Sequence, residues 1–226
     1  MIPFLLTTIV IFTSFYLLLT YVKLIPVSEK LISAVVLTSA QIIAVEILLG
    51  TAGMLSLVYI VPINLILSVA LFSFVFYRQR NVVYHFLNDF YVLFNFIKAL
   101  KSPYILFLFA LLIFVCIWLF FAAVLLPPRG IDDLTYHLPP LYEFIQQQRI
   151  FLLPVEYRGH FAFPMNAELL FLWPLLFFHG IDPIGMVQFS YGILGILIVY
   201  SLSRQLSIKP QVSVFTGLVF FFTPVV

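Results

Sequence analysis

The run from residue 104 to residue 126 constrains this chain more than any other feature. It contains ILFLFALLIFVCIWLFFAAVLL and no charged side chain. At about 1.5 Å per residue, a helix of this length crosses about 30 Å of hydrocarbon. A strand is excluded, because the run shows no alternation of polar and apolar residues and a single strand leaves its backbone unpaired in lipid. The sequence therefore predicts a membrane-spanning helix here.

Similar apolar runs recur along the rest of the chain. They cover residues 2–22, 31–49, 54–77, 184–202 and 212–226. The composition agrees, since 64% of the residues are hydrophobic and 9% are charged, against about 25% charged in a soluble domain. The sequence predicts an all-α, multi-span transmembrane bundle of about six spans. The net charge of +2, without a block of like charges, argues against a nucleic-acid partner.

Basic residues predict the orientation of the spans. If the spans alternate, eight of the eleven basic residues lie on one side. The eight are Lys23, Lys30, Arg78, Arg80, Lys98, Lys101, Arg204 and Lys209. That side is expected to be cytoplasmic, which places the N-terminus and the long loop 127–183 outside a plasma (inner) membrane.

The segment 81–98 has a polar stripe and an apolar side at helical spacing. Asn81, His85, Asn88, Asn95 and Lys98 form the stripe, and Val83, Phe86, Phe90, Leu93 and Ile97 lie opposite. The pattern favours a helix lying in the cytoplasmic interface. The alternative is a seventh span, which would reverse the orientation of everything after it.

The loop 127–183 is too long and too patterned for a plain connector. Pro139 and Pro140 suit the first turn of a helix, in which Leu141, Phe144 and Ile145 form an apolar face. A second helix follows Pro164, is apolar nearly all round, and is expected to dip into the interface or pack on the bundle. We expect Pro174 to kink it. The loop thus predicts two interfacial helices.

The loop also concentrates the polar chemistry of the chain. Six of the nine acids and three of the four histidines lie in it. Asp132 and Asp133 follow closely after the most apolar span. A carboxylate at the membrane surface costs free energy unless it is solvated or has a functional role. The other explanation is that an outer loop is polar simply because it is exposed to water. Glu46, about one turn from the outer end of the second span, is expected to snorkel outward or to face the same site.

Two stretches carry a resemblance to a known family. DDLTYHLPPLYEFIQQQRI, a polar turn and FPMNAELLFLWPLLFFHGID resemble the first outer loop of the lipid-dependent GT-C glycosyltransferases. That superfamily includes the protein O-mannosyltransferases and the aminoarabinose transferases of lipid A. The resemblance covers residues 127–204. It implies transfer of a sugar from a polyprenyl-phosphate donor to a glycan, lipid or protein acceptor outside the membrane.

The resemblance also implies roles for particular residues. Asp132, four residues before Tyr136, takes the position of the family's acid and would be the general base, with Asp133 as its helper. Arg129, Arg158 or His160 would stabilise the phosphate leaving group. Tyr136, His137 and Glu168 would contact substrate. These eight residues are the predicted site residues.

Each assignment has a plainer alternative. Asp133 could cap a helix, His137 could make only a structural hydrogen bond, and Arg129 could anchor the chain at headgroups. Glu168 could only pack against a partner helix. The histidines lack a close metal-ligand spacing, so no metal or other cofactor is predicted, although a weak two-acid metal site at Asp132 and Asp133 remains open.

Two departures from the family affect the expected organisation. Residues 1–102 form a three-span region with the interfacial helix, and residues 103–226 form the GT-C-like region, which contains the matching stretch 127–204. Because the family continues with further spans, we expect an N-terminal part of an enzyme, or one half whose missing spans a second chain supplies. The rival function is a non-catalytic protein that binds lipid-linked sugar, or a transporter.

The predicted orientation can be tested by labelling single cysteines. In a Cys116→Ala background, Gln147→Cys should react with an impermeant thiol reagent in intact cells. Arg80→Cys should react only after lysis, because the charge bias places it inside. The opposite labelling pattern would overturn the orientation and the external site together.

Overall fold

The computed structural model describes residues 2–22, 26–79, 81–99, 102–126, 135, 137–151, 165–178 and 184–223. Within these ranges the fold is all-helical. The helices are α1 (Ile2–Tyr21), α2 (Val27–Thr51), α3 (Leu57–Arg78), α4 (Val82–Ala99), α5 (Pro103–Leu125), α6 (Leu138–Gln147), α7 (Asn166–Phe178), α8 (Gly185–Gln205) and α9 (Pro210–Phe222). The predicted all-α class is confirmed.

Five of these helices, α1, α2, α3, α5 and α8, are long and apolar enough to cross a membrane. The sixth predicted span corresponds to α9, which has 13 residues as described and is therefore about 20 Å long. The helix α4, predicted to be interfacial, does not reach the apolarity of the other five. The architecture is that of a multi-span helical bundle.

The long helices pack in two neighbouring groups. The helix α1 packs on α2 and α3, while α5 packs on the hairpin of α8 and α9; α2 joins the groups through α8. The hairpin is closely packed because Gly217 lies against the backbone of α8. A Cβ there would come within 2.8 Å of the carbonyl oxygen of Ile196, so only glycine permits this approach.

The largest apolar core lies at the end of the bundle that carries α6 and α7, called here the loop end. Leu141 and Phe144 of α6 pack with Leu172 and Leu175 of α7 and with apolar side chains of α1 and α2. The predicted apolar face of α6 is therefore confirmed. The helix α7 packs on the bundle, and Trp173 Nε1 donates a hydrogen bond to Thr8 Oγ1 of α1.

Main-chain hydrogen bonds fasten α6 to the turn between α2 and α3. Leu55 N–H donates to the carbonyl of Gln148, and Ile150 N–H donates to the carbonyl of Gly50, each at 3.0 Å. Gly50 is required by this contact, because a Cβ there would lie 2.5 Å from Ile150 Cγ1. The end of α6 is thus fixed to the junction of α2 and α3.

The helix α4 is held by a buried ion pair that the sequence pattern did not reveal. Lys30 Nζ of α2 lies 2.7 Å from Asp89 Oδ2, and Tyr16 OH of α1 donates to the same oxygen at 3.1 Å. Val83 and Phe90 of the predicted apolar side lie on the protein surface. Phe86 of the same side packs with Leu17 and Val75. The helix α4 is therefore attached to the bundle through both Asp89 and Phe86, and its interfacial position stays a prediction.

The expectation that Glu46 snorkels outward is wrong. Its side chain is fully buried, and neither carboxyl oxygen has a hydrogen-bond partner among the described residues. The reason is that α7 packs on α2, whose neighbouring side chains Val45 and Leu49 belong to the core at the loop end. Glu46 is therefore enclosed by protein on the route it would take outward.

The buried pair predicts an asymmetric response to mutation. Asp89→Ala should lower the free energy of unfolding by roughly 3 kcal/mol, because it leaves the Lys30 ammonium buried and unpaired. The double change Lys30→Met with Asp89→Leu should lower the free energy of unfolding much less. Thermal unfolding in detergent micelles measures both, with the exposed Asn88→Ala as control. Equal stability of Asp89→Ala and the wild type would contradict the pair's importance.

Candidate functional site

The polar centre of the loop end is a contact between a histidine and a carboxylate. His137 Nδ1 lies 2.7 Å from Glu168 Oε1. His137 is the N-cap residue of α6, and the two prolines that follow fix the backbone angles of the first helical turn. Glu168 is in the first turn of α7, where a negative charge is favoured by the helix dipole. The starts of two helices therefore bring the pair together.

The two partners differ in their exposure. The side chain of His137 is 29% exposed, whereas that of Glu168 is 9% exposed. The second carboxyl oxygen of Glu168, Oε2, has no hydrogen-bond partner within the described ranges. If Nδ1 carries the proton, the imidazole donates to Glu168 and keeps Nε2 as its acceptor nitrogen. The carboxylate then fixes the orientation of a ring that water can reach.

A small cavity lies beside this pair. It has a volume of about 120 Å³ and is lined by His137 of the pair, by Phe171 of α7 and by Gly185 and Gln188 at the start of α8. Its lining therefore combines an aromatic ring with imidazole and amide groups. Such a combination of apolar wall and few polar groups is typical of small-ligand sites.

A larger groove continues from the cavity along α8. It has a volume of about 610 Å³, lies between α5, α8 and α9, and shares Gly185 and Gln188 with the cavity. Gly192 and Gly195 of α8 form part of its wall opposite Phe220 and Phe221 of α9. A Cβ on Gly195 would lie 2.6 Å from the Phe220 ring, so glycine is what allows the ring to lie this close.

Of the eight predicted site residues, the structure brings together two, His137 and Glu168. The other six lie outside the described residues: Arg129, Asp132, Asp133, Tyr136, Arg158 and His160. Sequence reasoning missed Phe171 and Gln188. A signal for Gln188 was present, because a polar side chain within a span is a reason to suspect function and it shares a helical face with Gly185, Gly192 and Gly195.

The described part of the chain contains no group of three or more histidine, cysteine, aspartate or glutamate side chains that could hold a metal ion. His137 and Glu168 supply only two ligands. The pair Asp132 and Asp133, for which a metal was left open, falls in the undescribed segment.

Comparisons with known proteins do not place the chain in a family. No family model, no curated protein and no solved structure matches it. The fold and composition define the class, a multi-span helical membrane protein with a partly polar cavity at one end. The glycosyltransferase activity implied by the loop remains a proposal.

The contact between His137 and Glu168 can be measured by a double-mutant cycle. The unfolding free energies of His137→Ala, Glu168→Ala and the double variant should reveal a coupling of about 1.5–3 kcal/mol, the range for a hydrogen bond to a charged group. The matched control pairs His137→Ala with Glu143→Ala, since Glu143 is exposed on α6, and should show no coupling. A coupling free energy of zero between His137 and Glu168 would show that their contact does not stabilise the protein.

Proposed function

We propose that this chain is a membrane glycosyltransferase, or part of one, that moves a sugar from a polyprenyl-phosphate donor to an acceptor outside the membrane. The observation that supports this most is the continuity between the cavity at His137 and the groove along α8. The cavity is partly polar, and the groove is lined mainly by apolar side chains and glycine. A lipid with a polar head and a long hydrocarbon chain has the same division.

The position of the groove suits a donor that arrives from the bilayer. The groove lies between helices whose surfaces are largely unburied: α5 and α8 are the least buried of the five long apolar helices. Leu119 of α5 and Phe220 of α9 line the groove and are exposed. An isoprenoid chain can therefore enter sideways from the hydrocarbon, while its phosphate and sugar lie at the loop end.

The chemistry of transfer needs a base and a cation near the cavity. The acceptor hydroxyl oxygen attacks the anomeric carbon of the donor sugar, and the bond from that carbon to the phosphate oxygen breaks. The phosphate leaves with the electron pair, and the hydroxyl proton passes to a carboxylate. Asp132 takes this role in our proposal, and Arg158, Arg129 or His160 balances the charge that grows on the phosphate.

The contact between His137 and Glu168 holds one residue of the proposed site in a fixed position. Asp132 lies five residues before His137 in the chain, and His137 is held in place by the buried carboxylate of Glu168. The segment that contains Asp132 is therefore attached directly to a fixed residue at the cavity. Glu168 acts in this proposal as a positioning residue for His137, and His137 faces the acceptor or the donor sugar.

The proposed function predicts unequal effects of the two neighbouring carboxylates. Asp132→Asn removes the proton acceptor and keeps the size of the side chain, so transfer should fall by roughly 10²-fold or more. Asp133→Asn should lower transfer by about tenfold or less, through loss of a local field. Sugar transfer from a polyprenyl-phosphate donor, measured on the complete enzyme in membranes, tests both.

The control variant is Glu143→Gln, an exposed carboxylate on α6, with the amount of protein in the membrane checked for each variant. A dead Asp133→Asn beside an active Asp132→Asn would reverse the two roles. Full transfer in both would remove the carboxylates from the chemistry. Binding of the lipid donor without any transfer by the wild-type protein would favour the rival function, a lipid-linked-sugar binding protein.

A further inference from the structure

The cavity and the groove meet at a single polar side chain, Gln188. Both spaces are lined by Gly185 and Gln188. On α8 these two residues share one helical face with Gly192 and Gly195, because the spacing of three, four and three residues returns to the same side. Three of the four residues of this face have no side chain, so the Gln188 amide alone projects from it.

The other polar side chains of the groove already have hydrogen-bond partners. Tyr191 OH lies 2.6 Å from Ser39 Oγ, and Thr223 Oγ1 donates to the carbonyl of Val219 at 3.0 Å. No hydrogen bond to the Gln188 amide is found among the described residues, and its side chain is exposed. Gln188 is therefore the group of this lining with unused hydrogen-bonding capacity.

An unused amide at this position has a defined chemistry. It offers two N–H donors and one carbonyl acceptor. Where the hydrocarbon of the bilayer excludes water from the groove, such a group lacks hydrogen bonds unless a ligand supplies them. Phosphate oxygens accept hydrogen bonds from the N–H donors, and hydrocarbon accepts none. The amide thus favours a ligand whose polar group lies at Gln188 and whose chain extends toward Gly195.

We propose that Gln188 binds the phosphate of the lipid donor and fixes how far the lipid slides along α8. This inference rests on the function proposed above and adds a residue from outside the loop to the site. With the phosphate at Gln188, the hydrocarbon lies along Gly192 and Gly195, and the sugar lies in the cavity beside Phe171 and His137. Gln188 is a binding and positioning residue here, and it takes no part in bond breaking.

The experiment compares two lipids that differ only in the phosphate. The full chain in detergent is titrated with a polyprenyl phosphate and with the polyprenol of the same length. The wild type should bind the phosphate form more tightly. Gln188→Leu should reduce that preference by about tenfold or more, the effect of losing a hydrogen bond to a charged group. Binding of the polyprenol should change little.

Two further variants keep the test decisive. Gln188→Glu is close in shape and adds a negative charge beside the phosphate, so it should weaken binding of the phosphate form at least as much. Ser190→Ala is the matched control, because Ser190 is an exposed polar residue of α8 that lies about 200° around the helix from Gln188. It should bind both lipids as the wild type does.

The outcomes separate this inference from the proposed function. If the wild type prefers the phosphate form and both Gln188 variants keep that preference, Gln188 is not the phosphate ligand, although the lipid site stands. If the wild type does not distinguish the two lipids, the lipid-phosphate site itself fails. Displacement of the polyprenyl phosphate by equal amounts of phosphatidylglycerol would show a general phospholipid site and overturn the donor assignment.

Discussion

The apolar packing of α6 and α7 on the first two helices determines where the polar groups of the loop end lie. Without it, His137 and Glu168 would be two residues of a long loop, separated by 31 positions in sequence. Leu141 and Phe144 of α6 are buried among side chains of α7 and the bundle. Because apolar burial is the main force that fixes such helices, the position of the polar pair follows from it.

Three buried acidic side chains show how environment assigns different roles to one kind of group. Asp89 is paired with Lys30 and Tyr16 and attaches α4 to the bundle. Glu168 uses one oxygen to hold an accessible histidine. Glu46 has no hydrogen-bond partner in the described part of the chain, and burial of a carboxyl without a partner is costly. Stability alone accounts for Asp89, and the proposed site accounts for Glu168. The packing of α7 on α2 accounts for the enclosure of Glu46.

The proposed site combines two kinds of surface that the fold brings side by side. The loop end supplies the imidazole of His137 and the carboxylate of Glu168 that holds it, while α8 supplies the Gln188 amide and a glycine-lined side with space for a hydrocarbon chain. A lipid-linked donor needs both, because its sugar and phosphate favour water and its chain favours the bilayer. Gln188 lies where these surfaces meet, which is why a residue of a span enters a site otherwise built from the loop.

The sequence by itself determined the class of fold and most of its helices. Uninterrupted apolar runs such as 104–126 leave a chain no other way to satisfy its backbone in lipid, and the spacing of Leu141 and Phe144 determined the buried face of α6. The tertiary structure decided the rest. Several features join helices that are distant in sequence. They are the pairings of Asp89 with Lys30 and of His137 with Glu168, the enclosure of Glu46, and the meeting of the cavity and the groove at Gln188. No local pattern encodes such contacts, because they depend on how helices pack and on where glycine allows close approach.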